Sequence, residues 1–325
     1  MGPSEHEMNV VFLDTDTIGA DIALEPLGVF GPLKCYGRTK RDQGIDRIAT
    51  AEIVVTNKVA IGAEEMEAAP SLKLIALTAT GVNNVDIDAA RRLGIAVANV
   101  AGYSTSSVAQ HTFALLLSLL GRIAYHDSFV KNGDYSRSEL FTHLDAPFTE
   151  IEDKRWGIIG LGAIGRAVAQ RAEAFGCEVS YFSASGKTEE PRYRRLGLHT
   201  LLERSDIVSV HCPLTDRTRG LIGPNELERM KAEAVILNLA RGGIIDEAAL
   251  VSAVDAGRIA GAAVDVYETE PPPASSPLLN ARRPERLVLT PHTAWASYEA
   301  RVRLIEEVAA NIRAFLDGKR RNRVD

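Results

Sequence analysis

Cysteine is scarce in this sequence of 325 residues, which contains only three: Cys35, Cys177 and Cys212. An odd number without the close spacing of metal ligands excludes a disulfide framework and a cysteine-rich metal site. We therefore expect reduced thiols in or near the core of a cytoplasmic protein. The seven histidines are also scattered, and no two of them form a helix-spaced pair with a third carboxylate ligand, so no metal site is predicted.

Long apolar runs and an excess of positive charge are missing as well. The longest apolar stretch, FALLLSLLG at 113–121, falls well short of the ~18–20 residues that span a bilayer and predicts a buried helix. The opening residues MGPSEHEMNV lack the charged and apolar regions of a secretory signal, and we expect them to be disordered. The net charge of -6 argues against a nucleic-acid partner, and the basic run GKRRNR at 318–323 is expected to be a solvated tail.

The sequence has instead a regular alternation of short apolar runs and helical patterns. The runs are almost continuously apolar, which is typical of parallel strands buried on both faces. They form two series, at 9–14, 51–57, 72–81 and 94–100, and at 155–160, 177–183, 206–212, 234–240, 261–267 and 286–290. The length suits two domains, so the sequence predicts an α/β protein with two doubly wound, Rossmann-like parallel sheets.

Helical patterns fill the gaps between these runs. Those at 63–73 and 86–94 are short, and the second ends at Gly94 as a helix cap. A long helix is predicted over 104–122 and an amphipathic helix over 296–317. The segment between 123 and 153 has the composition of a less regular connection.

A glycine-rich turn joins the first strand of the second series to a helical pattern. Gly160, Gly162 and Gly165 have the spacing G-x-G-x-x-G, with Ala163 and Ile164 between the last two. The first glycine permits a tight turn, the second lets the backbone approach a pyrophosphate, and the third lets helix and strand pack closely. Since the helix N-terminus adds N–H groups and partial positive charge, the turn predicts a dinucleotide site.

The next strand ends without the carboxylate that commonly binds the ribose of NAD. Ser183 stands there, followed by Ser185 and Lys187, with Arg192, Arg194 and Arg195 nearby. These groups suit a 2′-phosphate and give a slight preference for NADP(H) over NAD(H). The other interpretation, in which serine hydroxyls bond an NAD ribose and Lys187 is merely solvated, stays open.

Four polar residues follow later strands of the same series. Arg241, Asp265, Glu270 and His292 lie at or just beyond the carboxyl ends of predicted strands, where open α/β sheets bind ligands. The two glycines after Arg241 allow a sharp turn that would let the guanidinium face a ligand.

Seven stretches occur in one order along nearly the whole chain: TATGVNNVD, NVAGYSTSSVAQHTFALLL, GIIGLGAIGR, HCPLTDRTRGLI, NLARGGIIDEAAL, DVYETEP and PHTAWAS. Together they resemble the D-isomer-specific 2-hydroxyacid dehydrogenases. Within this family, TATGVNNVD and Trp295 are most similar to bacterial glycerate dehydrogenases, also called hydroxypyruvate reductases. One departure is VAQ where the family often has VAE, so that Gln110 removes a charge beside the expected cleft.

The resemblance implies a discontinuous domain arrangement. Residues 8–103 and 292–325 would form a substrate domain, and residues 104–291 an inserted NAD(P)-binding domain, with the active site in the cleft between them. The family is usually dimeric, and 123–153 would be available as an arm for the partner.

The resemblance also implies roles for individual residues. Arg241 would hold the substrate carboxylate and polarise the ketone, His292 would be the acid or base, and Glu270 would fix its tautomer. The backbone of Ala79, Thr80 and Gly81 would help to bind the substrate. Further cofactor contacts are expected from Ala240, from Asp265 at the nicotinamide carboxamide (or as a structural cap), and from Cys212, Pro213 and Thr218.

The implied function is NAD(P)-dependent interconversion of a small 2-oxo acid and its D-2-hydroxy acid, with hydroxypyruvate and D-glycerate first. Two alternatives remain at this point. One is a reductase of a doubly charged 2-oxo acid, such as phosphonopyruvate or phosphohydroxypyruvate. The other is a nucleotide-sensing binding protein similar to the corepressors that share this fold.

Overall fold

The computed structural model describes residues 7–325, so the expected disorder of the opening residues falls largely outside the described part. Two compact units make up this part of the chain. One comprises the residues up to Ser104 together with Ala296–Asp325, and the other comprises Thr105–Trp295. The chain thus returns to the first unit at Ala296, four residues after the expected boundary at 292. His292 therefore belongs to the second unit, where Asp265 holds the two residues that follow it.

The first unit contains a five-stranded parallel sheet in the order β2-β1-β3-β4-β5. Its strands are β1 (Val10–Phe12), β2 (Leu33–Cys35), β3 (Ile53–Thr56), β4 (Leu74–Leu77) and β5 (Ala96–Ala98). Strands β3 and β4 are buried at every position, which explains their continuous apolar character.

The second unit contains a seven-stranded parallel sheet in the order β12-β11-β10-β9-β6-β7-β8. Its strands are β6 (Arg155–Ile159), β7 (Glu178–Phe182), β8 (Arg194–Arg195), β9 (Ile207–Val210), β10 (Val235–Asn238), β11 (Gly261–Val264) and β12 (Leu287–Leu289). The direction of winding reverses between β6 and β9. Ligands of such sheets bind at the carboxyl ends of the strands beside this reversal.

Helices cover both sheets. The first unit has α1 (Glu25–Gly28), α2 (Gly44–Ile48), α3 (Ala63–Glu67), α4 (Ile87–Leu93) and α11 (Tyr298–Leu316). The second has α5 (Thr105–Gly121), α6 (Ile123–Lys131), α7 (Ala163–Ala174), α8 (Leu198–Arg204), α9 (Pro224–Leu227) and α10 (Glu247–Asp255). Single 3-10 turns lie at Thr15–Thr17, Arg41–Gln43, Tyr135–Arg137, Pro277–Asn280 and Pro284–Arg286.

The predicted fold class is confirmed, as is the cap of α4, where Gly94 adopts a φ of 71°. Other local expectations were wrong. Helix α3 ends at Glu67 instead of continuing to residue 73, because Pro70 disfavours helical backbone before it. The segment 123–153 is less irregular than expected, since it begins with the nine-residue α6. Cys35 is exposed, because it ends an edge strand.

The basic C-terminal segment is folded onto the first unit, contrary to the expectation of a solvated tail. Arg323 forms an isolated antiparallel bridge with Ala98, and the N–H of Val324 donates to Val97 O at 2.9 Å. Arg321 donates to Glu307 Oε2 at 2.7 Å. The positive charges are therefore engaged with neighbouring carboxylates and backbone.

Within residues 7–325, no single helix has the length and apolarity needed to cross a membrane. Helices α5 and α6 reach that length together, but they are bent by 58° where they meet.

Candidate active site

The glycine-rich turn after β6 has the geometry of a phosphate cradle. Gly160 adopts a φ of 96°, and a Cβ placed there would lie 2.6 Å from the backbone N of Cys212. A Cβ on Gly165 would lie 2.2 Å from the carbonyl oxygen of Gly160. Both positions therefore require glycine, for the turn and for close packing of strand against helix.

The middle of this turn is open. Gly162 is the N-cap of α7, and a Cβ there would meet nothing within 4 Å. Gly162 and Ala163 are exposed, and Ile164 is partly buried in the first turn of the helix. The N-terminus of α7 thus begins beside open space at Gly162, which fits the pyrophosphate of a dinucleotide.

The loop after β7 is tied by its serines. The Oγ of Ser183 accepts the N–H of Thr188 at 3.2 Å, and the Oγ of Ser185 accepts that of Lys187 at the same distance. Ser183 is buried and Lys187 is exposed. The guanidinium of Arg195 donates to Gly186 O at 3.1 Å, which brings a second cation to this loop.

The other two arginines are placed differently. Arg192 is paired with Glu173 at 2.7 Å, while Arg194 lies beside Arg195 in β8 and is exposed. Because neighbouring residues of a strand point to opposite faces, the side chain of Arg194 points away from the face on which Arg195 contacts the loop.

Arg241 lies in a turn that its neighbours fix. The side chain of Asn238, at the end of β10, accepts the N–H of Ala240 at 3.1 Å and donates to Arg241 O at 3.0 Å. A Cβ on Gly242 would lie 1.9 Å from Tyr267 O, so only glycine fits there, and Gly243 adopts a φ of 78°. The guanidinium is exposed and donates to Ala240 O at 2.7 Å.

Glu270 and His292 are in direct contact, 2.8 Å apart from Oε2 to Nδ1. The second carboxylate oxygen of Glu270 accepts the N–H of Tyr267 at 3.1 Å, which orients the group. Because a carboxylate only accepts, Nδ1 of His292 carries the hydrogen in this contact. His292 itself has a φ of 54°, in the left-handed region that few non-glycine residues adopt.

Asp265 is fully buried, and its carboxylate is occupied by protein groups. Oδ1 accepts the hydroxyl of Thr290 at 2.6 Å and the N–H of Thr293 at 2.9 Å, and Oδ2 accepts the N–H of Ala294 at 3.0 Å. These contacts agree with one of the two roles predicted for Asp265, that of a structural cap. The other role, a contact with the nicotinamide carboxamide, stays a prediction. The hydrogen bond from the hydroxyl of Thr290 to Asp265 was not predicted from the sequence.

The remaining expected cofactor contacts follow β9. Burial raises the pKa of the Cys212 thiol to about 11, so it stays protonated at neutral pH. The hydroxyl of Thr218 is buried and donates to Pro213 O at 2.7 Å, which closes the turn after the strand. The expected cofactor contacts of Cys212, Pro213 and Thr218 stay predictions.

The expected substrate residues of the first unit follow β4. The N–H of Val100 donates to Ala79 O at 2.9 Å, and the hydroxyl of Thr80 donates to Val100 O at 2.8 Å. Gly81 continues this turn, and its substrate contact stays a prediction. In the second unit Gln110 is exposed on α5. Among the described residues, no group of histidine, cysteine and acidic side chains is arranged to hold a metal ion.

A seven-stranded sheet in this order, with an open glycine cradle at its reversal, defines a dinucleotide-binding protein. The family model described as "D-isomer specific 2-hydroxyacid dehydrogenase, NAD binding domain" matches residues 113–294. The chain therefore belongs to the D-isomer specific 2-hydroxyacid dehydrogenases. It is an oxidoreductase with a nicotinamide cofactor, and it interconverts 2-oxo and 2-hydroxy acids.

Two relatives are similar over almost their full length. Glycerate dehydrogenase of Methylorubrum extorquens is 38% identical over 317 residues, which cover 97% of this chain and 98% of the relative. Hydroxypyruvate reductase of Blautia hydrogenotrophica is 36% identical over 317 residues, which cover 96% of this chain and 98% of the relative.

Solved structures agree with the fold. An acyclic imino acid reductase in complex with NADPH and D-Arg has a TM-score of 0.86 at 28% identity, covering 98% of this chain and all of the other. D-lactate dehydrogenase of Aquifex aeolicus, complexed with NAD and lactic acid, has a TM-score of 0.79 at 27% identity, with 95% and 96% covered. The two neighbours thus hold different nicotinamide cofactors.

Proposed function

We propose that this enzyme reduces hydroxypyruvate to D-glycerate and catalyses the reverse oxidation. The observation that carries the proposal is the contact of Glu270 with His292, beside a turn built to present Arg241. The names of the two relatives support the substrate, since one is a glycerate dehydrogenase and the other a hydroxypyruvate reductase.

Each of the three side chains has a distinct task in this proposal. Arg241 holds the substrate carboxylate and polarises the adjacent ketone, because its planar guanidinium stays charged and offers several donors. His292 donates the proton from Nε2 to the ketone oxygen, since Nδ1 is engaged by Glu270. Glu270 stabilises the imidazolium that is needed for this donation. The nicotinamide supplies the hydride when bound, at the carbon that bears this oxygen.

Steady-state kinetics test the proposal. Initial rates are measured with hydroxypyruvate, glyoxylate, phosphohydroxypyruvate and phosphonopyruvate, each with NADH and with NADPH. Fast turnover of hydroxypyruvate supports it, and a clear preference for a doubly charged acid contradicts the substrate. Nucleotide binding with negligible turnover of all four would mean that the substrate is a different 2-oxo acid.

We also propose a preference for NADP(H). The end of β7 is followed by a serine instead of a carboxylate. Lys187 belongs to the loop that follows, and the guanidinium of Arg195 contacts this loop. A 2′-phosphate carries negative charge and accepts hydrogen bonds, which suits this loop better than an unmodified ribose does.

We propose further that the enzyme is a homodimer whose contact includes residues 123–148. This segment exposes apolar side chains, among them Phe141 at 89% and Leu144 at 74% of their surface. A groove of about 500 Å³ beside it is lined by Leu117, Ile123 and Phe148. Monomers seldom expose so many clustered apolar groups.

A cytoplasmic location is also proposed, since all three cysteines are unpaired.

A further inference from the structure

Residues 290–294 form a short loop that connects the end of β12 to the end of the second unit. His292 lies at its centre with a φ of 54°. The left-handed conformation is unfavourable for a residue with a Cβ, so it persists only where the surroundings determine it. The loop must therefore be held at both ends for His292 to keep its place opposite Glu270.

Thr290 is the first of these anchors. Its carbonyl oxygen accepts the hydroxyl of Tyr267 and the N–H of His292, both at 3.0 Å. Its own hydroxyl lies 2.6 Å from Oδ1 of Asp265. Since a carboxylate only accepts, the single hydrogen of the Thr290 hydroxyl is used in this bond.

The use of that hydrogen determines the role of His111. Its Nε2 lies 3.2 Å from the hydroxyl oxygen of Thr290, which has no second hydrogen to give. His111 must therefore be the donor, with its hydrogen on Nε2. The same nitrogen is 3.7 Å from Oδ1 of Asp265, close enough for attraction but too far for a good hydrogen bond.

The other end of the loop is held from the same helix. Ser107, one turn before His111 in α5, donates its hydroxyl to Ala294 O at 2.6 Å. Residues four apart lie on one face of a helix, so this face of α5 presents both donors to the loop. The carboxylate of Asp265 accepts the N–H groups of Thr293 and Ala294 at the same end of the loop.

We propose that His111 is a positioning residue for catalysis, acting through Thr290 to hold His292 in the geometry for proton transfer. The inference depends on the acid–base role proposed for His292. The Nε2 of His111 contacts Thr290 and lies near Asp265, so its effect passes through the loop backbone. A misplacement of a catalytic group by about 1 Å can lower a rate by roughly 100-fold.

Two matched pairs of variants test the proposal. His111→Leu removes the donor, while His111→Gln retains an N–H near the position of Nε2. Thr290→Val removes the hydroxyl at constant shape, while Thr290→Ser retains it. His199→Gln, on the exposed part of α8, is the control for loss of an unrelated histidine.

For each variant we would measure kcat, KM, the melting temperature and hydrogen–deuterium exchange at the amides of Thr293 and Ala294. The Leu and Val variants should lose about 10- to 100-fold in kcat with KM changed less than about twofold, and exchange at both amides should rise. The Gln and Ser variants should remain close to the wild type.

Three results would overturn the inference: full kcat in the Leu and Val variants, an equal loss in both members of a pair, or a loss confined to KM or melting temperature. Exchange at the two amides needs no substrate. If the wild type turns over no 2-oxo acid, the proposed function fails. Unchanged hydrogen–deuterium exchange in His111→Leu would separately refute the role of His111 in holding the loop.

Discussion

Oε2 of Glu270 and Nδ1 of His292 are 2.8 Å apart, although 22 residues separate them in the chain. The acid precedes a proline after β11 and the histidine follows β12, so two adjacent parallel strands bring the pair together. The contact fixes which ring nitrogen carries hydrogen and leaves Nε2 available for the proton transfer that we propose.

Replacement of Glu270 by glutamine should lower kcat by about 100-fold or more, because an uncharged amide cannot stabilise the imidazolium. The variant is expected to bind nucleotide as tightly as the wild type, which fluorescence quenching would measure. Retention of more than about half of the wild-type kcat would contradict the role of Glu270.

Replacement of Arg241 by alanine should reduce kcat/KM for a 2-oxo acid by at least about 100-fold, since one charged donor to the reacting groups is lost. Lysine at this position should restore only part of the rate, because it lacks the planar pair of donors. Arg229→Ala, which removes an exposed cation paired with Glu203, is the control and should leave the kinetics unchanged.

The double replacement of Lys187 and Arg195 by alanine should raise KM for NADPH by about tenfold or more, with little effect on NADH, because two cations near a 2′-phosphate are lost. Arg192→Ala is the comparison, since that guanidinium is paired with Glu173. An equal loss for both nucleotides would mean that the loop does not read the 2′-phosphate.

Aspartate at Phe141 and at Leu144 should halve the molar mass in light scattering at equal concentration, because charge cannot be buried in an apolar contact. Val29→Asp places the same charge at an exposed apolar site of the first unit. It should leave the mass unchanged. A wild-type protein that is monomeric at micromolar concentration would end this proposal directly.

His211 predicts a pH dependence of stability. Burial lowers the pKa of its imidazole to about 3 from an ordinary 6.5, so the unfolded chain binds one more proton between these values. The contribution of His211 to the free energy of unfolding is then fully present above pH 6.5. It falls by about 1.4 kcal/mol for each unit of pH below that value. Between pH 6.5 and 5, urea unfolding should show a loss about 2 kcal/mol larger in the wild type than in His211→Gln. Parallel pH profiles would contradict the depressed pKa.

The sequence predicted those parts of the fold that are buried on both sides. Strands such as β9 and β10 have no exposed residue, so their apolar character marks them without ambiguity. Strand β2 was missed because all three of its residues are partly or fully exposed, and an edge strand needs no apolar pattern. Helix α6 was missed because it has no buried residue, so no apolar stripe faces a core.

For the site, the positions of Arg241, Glu270 and His292 after strand ends could be predicted, but their supports could not. His111 and Thr290 are 179 residues apart, and nothing local in either stretch indicates the other. The same holds for Asp265, whose buried carboxylate binds a loop 25 to 29 residues further along the chain. Such pairings depend on which strands become neighbours.

The discontinuity of the first unit has a consequence for how the protein is made. Helix α11 packs on α1 and β4, and Leu304, Ile305, Val308 and Ile312 are almost fully buried there. A ribosome that has completed β5 at Ala98 must add about 200 further residues before α11 begins at Tyr298, which takes roughly 10 to 40 seconds. During that time the second unit can fold while the first sheet still exposes the apolar face that α11 will cover. Until α11 has been synthesised, the sheet of the first unit is therefore the part of the chain most exposed to aggregation.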